Sequence, residues 1–143
     1  MKQLTLVVVG IALTATAALR AQERIVPDGM QRVYDNFHYA PIVKVGNTLY
    51  LSGVVAGDED PEQQFESVFR NLDRVLQAAG SSLADVVEMT TFHVNMREHV
   101  QTFMTVKDRF MKEPYPTWTA IGVESLFSPR SLVEIRVVAI LSD

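Results

Sequence analysis

The hydrophobic positions of this chain follow two different periods, and each change of period predicts a new element. Residues 41–45 and residues 48–54 are short apolar runs on either side of Gly46-Asn47, a pattern typical of two strands joined by a tight turn. Residues 24–37 show no regular period and predict no element. The first part of the sequence therefore predicts a β-hairpin.

The stretch after the hairpin has the period of a helix. Asp60 offers an N-cap, Pro61 suits the first helical position, and Gln63 completes a capping box. Seven apolar residues then share one helix face: Phe65, Val68, Phe69, Leu72, Val75, Leu76 and Ala79. Gly80 follows as a C-terminal stop. We expect one face of this helix to pack on a sheet.

The second half of the chain returns to a strand pattern and then to a helix pattern. Val86–Val94 reads as a long strand, and a second amphipathic helix ends before Pro114. The apolar face of that helix consists of Val100, Phe103, Val106, Phe110 and Met111. Thr117–Val123 and residues 132–141 are the last two strands. The order β-β-α-β-α-β-β predicts a single α+β domain with a mixed sheet and both helices on one face.

Composition narrows the chemistry that is available. The chain has 143 residues, 48% of them hydrophobic, which suits one globular domain and is too short for two. The absence of cysteine excludes a disulfide framework, a thiolate zinc site and a cysteine nucleophile. None of the three histidines forms the i, i+4 pair of the helical zinc motif, and no phosphate-binding loop or nucleophile elbow is present. We therefore expect no metal site.

The N-terminus has the pattern of a signal peptide over residues 1–21. Lys2 gives a basic start, an apolar run follows, and Ala21 is a small residue at the end. The alternative is an N-terminal core strand or helix, because the run is too short for a membrane span. Processing would leave a domain of residues 22–143 in the periplasm or secreted, with no membrane attachment and a formal charge of −6 instead of −4. Such an acidic surface disfavours nucleic acid.

Several motifs occur in a distinctive order and spacing. The hairpin contains Tyr39-Ala40-Pro41, Val43-x-Val45-Gly46 and Leu51-Ser52-Gly53. The first helix and the strand after it contain Asn71-Leu72-x-x-Val75-Leu76-x-Ala78-Ala79-Gly80-x-Ser82-Leu83-x-Asp85-Val86-Val87. The last strand contains Val133-Glu134-Ile135. Together these motifs resemble the RidA/YjgF family of reactive intermediate deaminases over nearly the whole chain after residue 21.

This resemblance implies a chorismate mutase-like fold and a homotrimer with clefts between its subunits. It also implies hydrolysis of imines or enamines, such as 2-iminopropanoate and 2-aminoacrylate, to a keto acid and ammonia without any cofactor. The reaction needs a cation for the substrate carboxylate, a base for the water and polar groups for the leaving nitrogen. The expected partners are a small-molecule ligand and two further copies of this chain.

Four residues match the site pattern of the family. The resemblance gives Glu134 the part of general base, with Tyr39 beside it as the other catalytic residue and Ser52 and Gly53 as substrate-binding residues. From the residues alone, the Glu134 side chain points away from those of Val133 and Ile135 and lies on the same face as Arg136. A surface ion pair is therefore an equal alternative to a catalytic role for Glu134. Tyr39 is equally well explained as a packing residue at the edge of the hairpin.

Three further positions depart from the family pattern. Trp118, in the run Pro116-Thr117-Trp118-Thr119-Ala120, stands where the family has its carboxylate-binding arginine. Its ring can line a cleft and stack on a flat or cationic ligand, or it can simply fill the core. Lys107 replaces a frequent asparagine and Arg136 a frequent acidic residue. Either cation is a candidate to bind the substrate in place of the missing arginine.

Three functions of different classes remain open at this point. The first is a hydrolase of C=N bonds with a substrate that differs from the family norm. The second is a trimeric binding module for a small apolar or aromatic metabolite, which the tryptophan favours. The third is an interaction protein that holds other chains. The retained Tyr39 and Glu134 favour the hydrolase.

Overall fold

A computed structural model describes residues 22–57 and 60–142 of the chain. The predicted signal peptide over residues 1–21 lies outside the described residues. The strands of the described part are β1 Gln22–Ile25, β2 Ile42–Val45, β3 Thr48–Leu51, β4 Val54–Val55, β5 Val86–Val94, β6 Thr117–Val123 and β7 Val133–Ile140. Its α-helices are α1 Gln31–Phe37, α2 Pro61–Gln77 and α3 Met96–Phe110. None of these helices is long and apolar enough to cross a membrane.

The strands form one mixed sheet, as predicted, although the described part of the chain has seven strands and the sequence predicts five. Its order is β1-β2-β3-β7-β5-β6, and β4 pairs with β7 beyond the end of β3. The β5–β6 pair is parallel and the other pairs are antiparallel. The parallel pair needs a crossover connection, which α3 supplies. The prediction of no element over residues 24–37 was wrong, because β1 and α1 lie there.

The ends of α2 are set by the residues that the sequence indicates. The Asp60 carboxylate accepts a hydrogen bond of 2.9 Å from the backbone N–H of Gln63, and Pro61 occupies the first helical position. Gly80 has a φ of 72°, a left-handed conformation that glycine adopts at little cost. The predicted hairpin is also confirmed, with Gly46 at a φ of 64° in its turn. Local sequence signals therefore fix these boundaries.

Both long helices pack on the same face of the sheet, as predicted. Val133, Ile135, Val137 and Ala139 of β7 are fully buried on that face, where α2 and α3 cover them. Phe103 of α3 lies at the centre of the layer. Its ring contacts those of Phe65, Phe69, His93 and Trp118, with centroid separations of 5.4, 5.8, 4.7 and 6.0 Å. Neither of the two long helices packs on the opposite face of the sheet, which Phe37 at the end of α1 borders.

The sequence predicts one strand over residues 48–54, and the structure corrects this prediction. Four residue steps from Tyr50 to Val54 match only three along β7, from Val138 to Ile135. One extra residue therefore stands on the β3–β4 side, which is the pattern of a β-bulge. The bulge falls at Ser52-Gly53 and separates β3 from β4. It lies opposite the part of β7 that carries Glu134.

Candidate functional site

A pocket of about 400 Å³ opens on the face of the sheet that the helices leave uncovered. It lies where the β3–β4 bulge meets the start of β7. Four of its lining residues are predicted from the sequence: Tyr39, Ser52, Gly53 and Glu134. The other four are Phe37, Val55, Phe127 and Ser128. The structure thus brings together four of the seven predicted site residues within a single chain.

Glu134 reaches this pocket because side chains alternate between the two faces along β7. Val133 and Ile135 are buried under the helices, so Glu134 between them points to the opposite face, as the alternation predicts. Its side chain lies over Gly53. A Cβ atom built on Gly53 would stand 2.7 Å from Glu134 Cγ and would overlap Oε1. Gly53 is therefore required for the carboxylate to occupy this position.

Ser52 and Tyr39 form the neighbouring wall. The Ser52 hydroxyl donates a hydrogen bond of 2.8 Å to the carbonyl oxygen of Ala40, and its N–H donates to the carbonyl oxygen of Pro41 at 2.9 Å. These two bonds attach the segment that carries Tyr39 to the bulge. The Tyr39 side chain lines the pocket and is partly exposed. Ser52 thus has a structural role in addition to its place in the lining.

Two exposed phenylalanines form the rim of the pocket, and sequence reasoning missed both. Phe37 is the last residue of α1, and Phe127 lies in the loop between β6 and β7. Their rings meet edge to face, with centroids 5.9 Å apart. Periodicity could not identify them, because one lies in a stretch without regular period and the other in a loop. The sequence signal would have been large apolar residues outside any amphipathic pattern.

A second hollow of about 270 Å³ adjoins the pocket and shares Tyr39, Gly53 and Val55 with it. Arg74 and Asn71 of α2 line this hollow, and Asp28 and Val75 are also part of its wall. The Asn71 side-chain amide donates a hydrogen bond of 3.2 Å to the carbonyl oxygen of Val55. Arg74 is exposed on the helix. The hollow therefore supplies a cation that sequence reasoning did not consider.

Trp118 and Lys107 lie together, but not in this pocket. Trp118 pairs with the buried Met89 on β5, so its side chain faces the helices, opposite to Glu134. Its Nε1 donates a hydrogen bond of 3.0 Å to Thr91 Oγ1, and Lys107 Nζ lies 5.0 Å from the ring centroid. In a single chain, Trp118 is thus a half-buried packing residue with a cation over its ring. Its contact with a ligand stays a prediction.

Arg136 lies on the same face as Glu134, two residues further along β7. It is exposed and does not line the pocket. Neither of the two cations that the sequence proposes for the substrate carboxylate therefore borders the Glu134 pocket in one chain.

His93 of β5 and His99 of α3 form a buried pair. His93 Nε2 and Thr91 Oγ1 are 2.9 Å apart, and the His93 and His99 ring centroids are 5.8 Å apart. Burial lowers the pKa of His93 to about 4, and the nearby His99 contributes to this shift. Burial also lowers the pKa of His99. In the described part of the chain, no three His, Cys, Asp or Glu side chains come together in a group that could hold a metal ion.

Known proteins are similar to this chain in sequence and in fold. The family model described as "Endoribonuclease L-PSP" matches residues 30–141. The "RutC family protein YjgH" of Escherichia coli is 36% identical over 106 residues, which are 69% of this chain and 81% of that protein. A "2-iminobutanoate/2-iminopropanoate deaminase" of Dermatophagoides farinae is 30% identical over 113 residues, covering 72% of this chain and 85% of that one.

Solved structures give the same assignment. The structure titled "Protein YJGH" superposes with a TM-score of 0.76 at 31% identity and covers 85% of this chain and 98% of its own. That of "RidA from Antarctic bacterium Psychrobacter sp." superposes with a TM-score of 0.68 at 32% identity, over 72% of this chain and 88% of its own. The match to the family model includes every residue that lines the pocket.

Proposed function

The chain belongs to the RidA/YjgF family, and on that basis we propose that its pocket hydrolyses small imines or enamines to a carbonyl compound and ammonia. The substrate differs from the family norm. One relative that is 30% identical carries the name of a deaminase acting on 2-iminobutanoate and 2-iminopropanoate, which supports this class of reaction. Fold alone would not support it, because related folds carry different chemistries.

One observation carries the proposal: the Glu134 carboxylate lies over Gly53 in a pocket that Tyr39 also lines. Glu134 is half-buried, so water can reach its carboxylate, and the absence of a side chain at Gly53 leaves room for it. In the reaction, Glu134 takes a proton from water while the water oxygen bonds to the imine carbon. The C=N π electrons move to nitrogen, which then receives protons as the C–N bond breaks. The net change is imine plus water to carbonyl plus ammonia.

The substrate carboxylate needs a cation, and Arg74 is the candidate that borders the site. Its hollow shares Tyr39, Gly53 and Val55 with the Glu134 pocket. A guanidinium suits this role because its planar donors match the two carboxylate oxygens. We infer that a substrate spans both hollows, with its reacting carbon at Glu134 and its carboxylate towards Arg74.

The test is the exchange Glu134→Gln, which keeps the size of the side chain and removes its basicity. We expect imine hydrolysis to fall by about a hundredfold or more, with little change in KM. The imines are generated by an L-amino acid oxidase, and release of the keto acid is measured. Glu124→Gln, which removes an exposed carboxylate outside the pocket, is the matched control and retains full activity. Unchanged turnover in Glu134→Gln would refute the role of Glu134.

A non-catalytic binding protein is the second candidate, and the aromatic lining of the pocket favours it. Phe37, Tyr39 and Phe127 give the pocket three aromatic rings, while Glu134 is the one charged side chain among the described residues that line it. Such a site suits a small apolar ligand. Ligand binding without any acceleration of imine hydrolysis would favour this candidate over the hydrolase.

We also propose a homotrimer that is exported from the cytoplasm. The uncovered face of the sheet carries exposed apolar side chains, among them Tyr50, Ile121 and Ile140, which a second copy of the chain can cover. Light scattering at micromolar concentration should give three times the monomer mass.

The proposal of export rests on the pattern of residues 1–21, and N-terminal sequencing of protein from cells should begin near Gln22. A sequence that begins at Met1 would refute the export.

A further inference from the structure

The phenylalanines at the rim of the pocket are unusual in their exposure. Phe127 is 88% exposed and Phe37 is 57% exposed, although each is a large apolar side chain. A chain gains nothing from leaving such rings in water, since burying a phenylalanine contributes roughly 1.5–3 kcal/mol. The two rings come from elements that are distant in sequence, the end of α1 and the β6–β7 loop. Their contact therefore depends on the tertiary fold.

The arrangement of these rings leaves apolar surface directed at the pocket. They meet edge to face at an interplanar angle of 83°, so each keeps a face or an edge free for a third ring. Val55, the neighbour of Glu134 across the β4–β7 pair, adds an aliphatic side chain to the lining. The pocket thus has a charged end at Glu134 and an apolar end at Phe37 and Phe127.

The volume of the pocket is large enough for a ligand that contacts both its charged end and its apolar end. About 400 Å³ is within the range of sites for small molecules and exceeds what a three-carbon imino acid fills. The apolar end would then remain in contact with water when such a substrate is bound. A substrate with a flat apolar side chain would displace that water and bury both rings.

We propose that Phe37 and Phe127 form a specificity subsite for 2-imino acids and 2-keto acids with an aromatic or bulky apolar side chain. This inference rests on the proposed function for the identity of the reacting group, and it deepens that function by naming the substrate class. Discrimination comes from apolar contact with the side chain, while the reaction at Glu134 is the same for all substrates.

Binding of two keto acids measures the subsite without reference to turnover. We expect phenylpyruvate to bind about tenfold more tightly than pyruvate in calorimetry, because one additional ring is buried. In Phe127→Ala and Phe37→Ala this preference should fall severalfold, because phenylpyruvate affinity falls more than pyruvate affinity. Tyr115→Ala, which removes a 66% exposed ring outside the pocket, is the matched control and keeps the preference.

The outcomes separate the subsite from the hydrolase. Equal affinity for the two keto acids in the wild-type protein overturns the subsite, whatever the turnover. A preference for phenylpyruvate that depends on Phe127, without hydrolysis of any imine, supports the subsite and refutes the hydrolase. A Phe127→Ala protein with altered mass in light scattering and unaltered preference overturns the subsite, because the ring would then belong to an interface between copies of the chain.

Discussion

The two faces of the sheet use the same strands in opposite ways. On the covered face, β7 presents four buried aliphatic residues to α2 and α3, and even the polar groups there, such as Thr91 and His93, are shielded from water. On the uncovered face, the intervening residues of β7 include Glu134 and Arg136, which remain accessible. One face therefore stabilises the fold, while the other holds a carboxylate in a pocket open to ligands.

This comparison changes the meaning of Trp118. Its match to the arginine position of the family suggests a role in the site. However, the pairing of Trp118 with the buried Met89 directs its side chain to the covered face. Glu134 and Trp118 therefore stand on opposite sides of one sheet in a single chain. The chain needs the tryptophan for packing, whether or not a neighbouring copy brings it close to a ligand. Substitutions on the two faces should accordingly give different effects.

The largest effect is expected on the uncovered face, from Gly53→Ala. The added Cβ atom would overlap the Glu134 side chain, which must move out of its position. Activity should fall by about a hundredfold, as for loss of the base, while stability changes by less than about 1 kcal/mol, because the displaced group is a flexible side chain. Turnover and urea unfolding are measured on the same sample.

Gly57→Ala is the control for this substitution. A Cβ atom there would stand 3.8 Å from Arg130, an ordinary contact distance, so both activity and stability should be retained. Full activity in Gly53→Ala would show that the position of Glu134 over Gly53 is not needed for the reaction.

On the covered face, Trp118→Arg should act on stability. The exchange removes a ring that packs against Phe103 and places a second cation near Lys107 Nζ, which now lies over that ring. We expect a loss of about 3 kcal/mol in the free energy of unfolding, measured with urea. Trp118→Phe keeps a ring but loses the hydrogen bond to Thr91 and part of the ring volume, at a cost of about 2 kcal/mol. A fully stable Trp118→Arg protein with increased imine hydrolysis would instead place residue 118 in the reactive cleft.

The buried His93 on the covered face should make the stability of the fold depend on pH. Its pKa is lowered from 6.5 to about 4 in the folded chain, so between these values the unfolded chain binds a proton that the folded chain does not. Stability is therefore intact above pH 6.5 and falls as the pH decreases towards 4. We expect a loss of about 2 kcal/mol between pH 7 and pH 5.

Urea unfolding at these two pH values measures the loss. The variant His93→Gln should show a smaller pH dependence, whereas His38→Gln, at an exposed histidine, should behave like the wild-type protein. An equal pH dependence in His93→Gln and wild type would assign the acid sensitivity to other groups.

The smallest effect is expected at the edge between the two faces, from Arg74→Gln. If Arg74 binds the substrate carboxylate, affinity for pyruvate should fall about fivefold, with stability unchanged, because an exposed contact to a charge contributes about 1 kcal/mol. Calorimetry measures this change. Arg70→Gln, one turn earlier on α2 and paired with Glu66, is the matched control. Equal pyruvate affinity in both variants would exclude Arg74 as the anchor.

The sequence predicted the main elements because their signals are local. The Asp60 cap, the Gly80 stop and the apolar stripe between them specify α2, and the alternation around Glu134 gives its direction on β7. The elements over residues 22–37 escaped prediction, since β1 is a short edge strand with mostly exposed residues and α1 buries none of its side chains. Without a buried face, a segment has no hydrophobic period to detect.

The membership of the pocket was predictable only in part. Family motifs identify Tyr39, Ser52, Gly53 and Glu134, and the structure places all four together. Phe37 and Phe127 enter the pocket from the end of α1 and from the β6–β7 loop, and Arg74 enters an adjoining hollow from an exposed position of α2. Neither event leaves a periodic signal in the chain.

By itself, the sequence determined the two long helices, the long strands, the face that each of them buries and the family of the chain. Capping, alternation and motif order are properties of neighbouring residues. The tertiary structure alone decided the one-residue bulge that brings Gly53 under Glu134. It also decided that Trp118 and Glu134 face opposite ways. The reason is that both depend on the register between strands distant in sequence, where a shift of one residue exchanges the two faces.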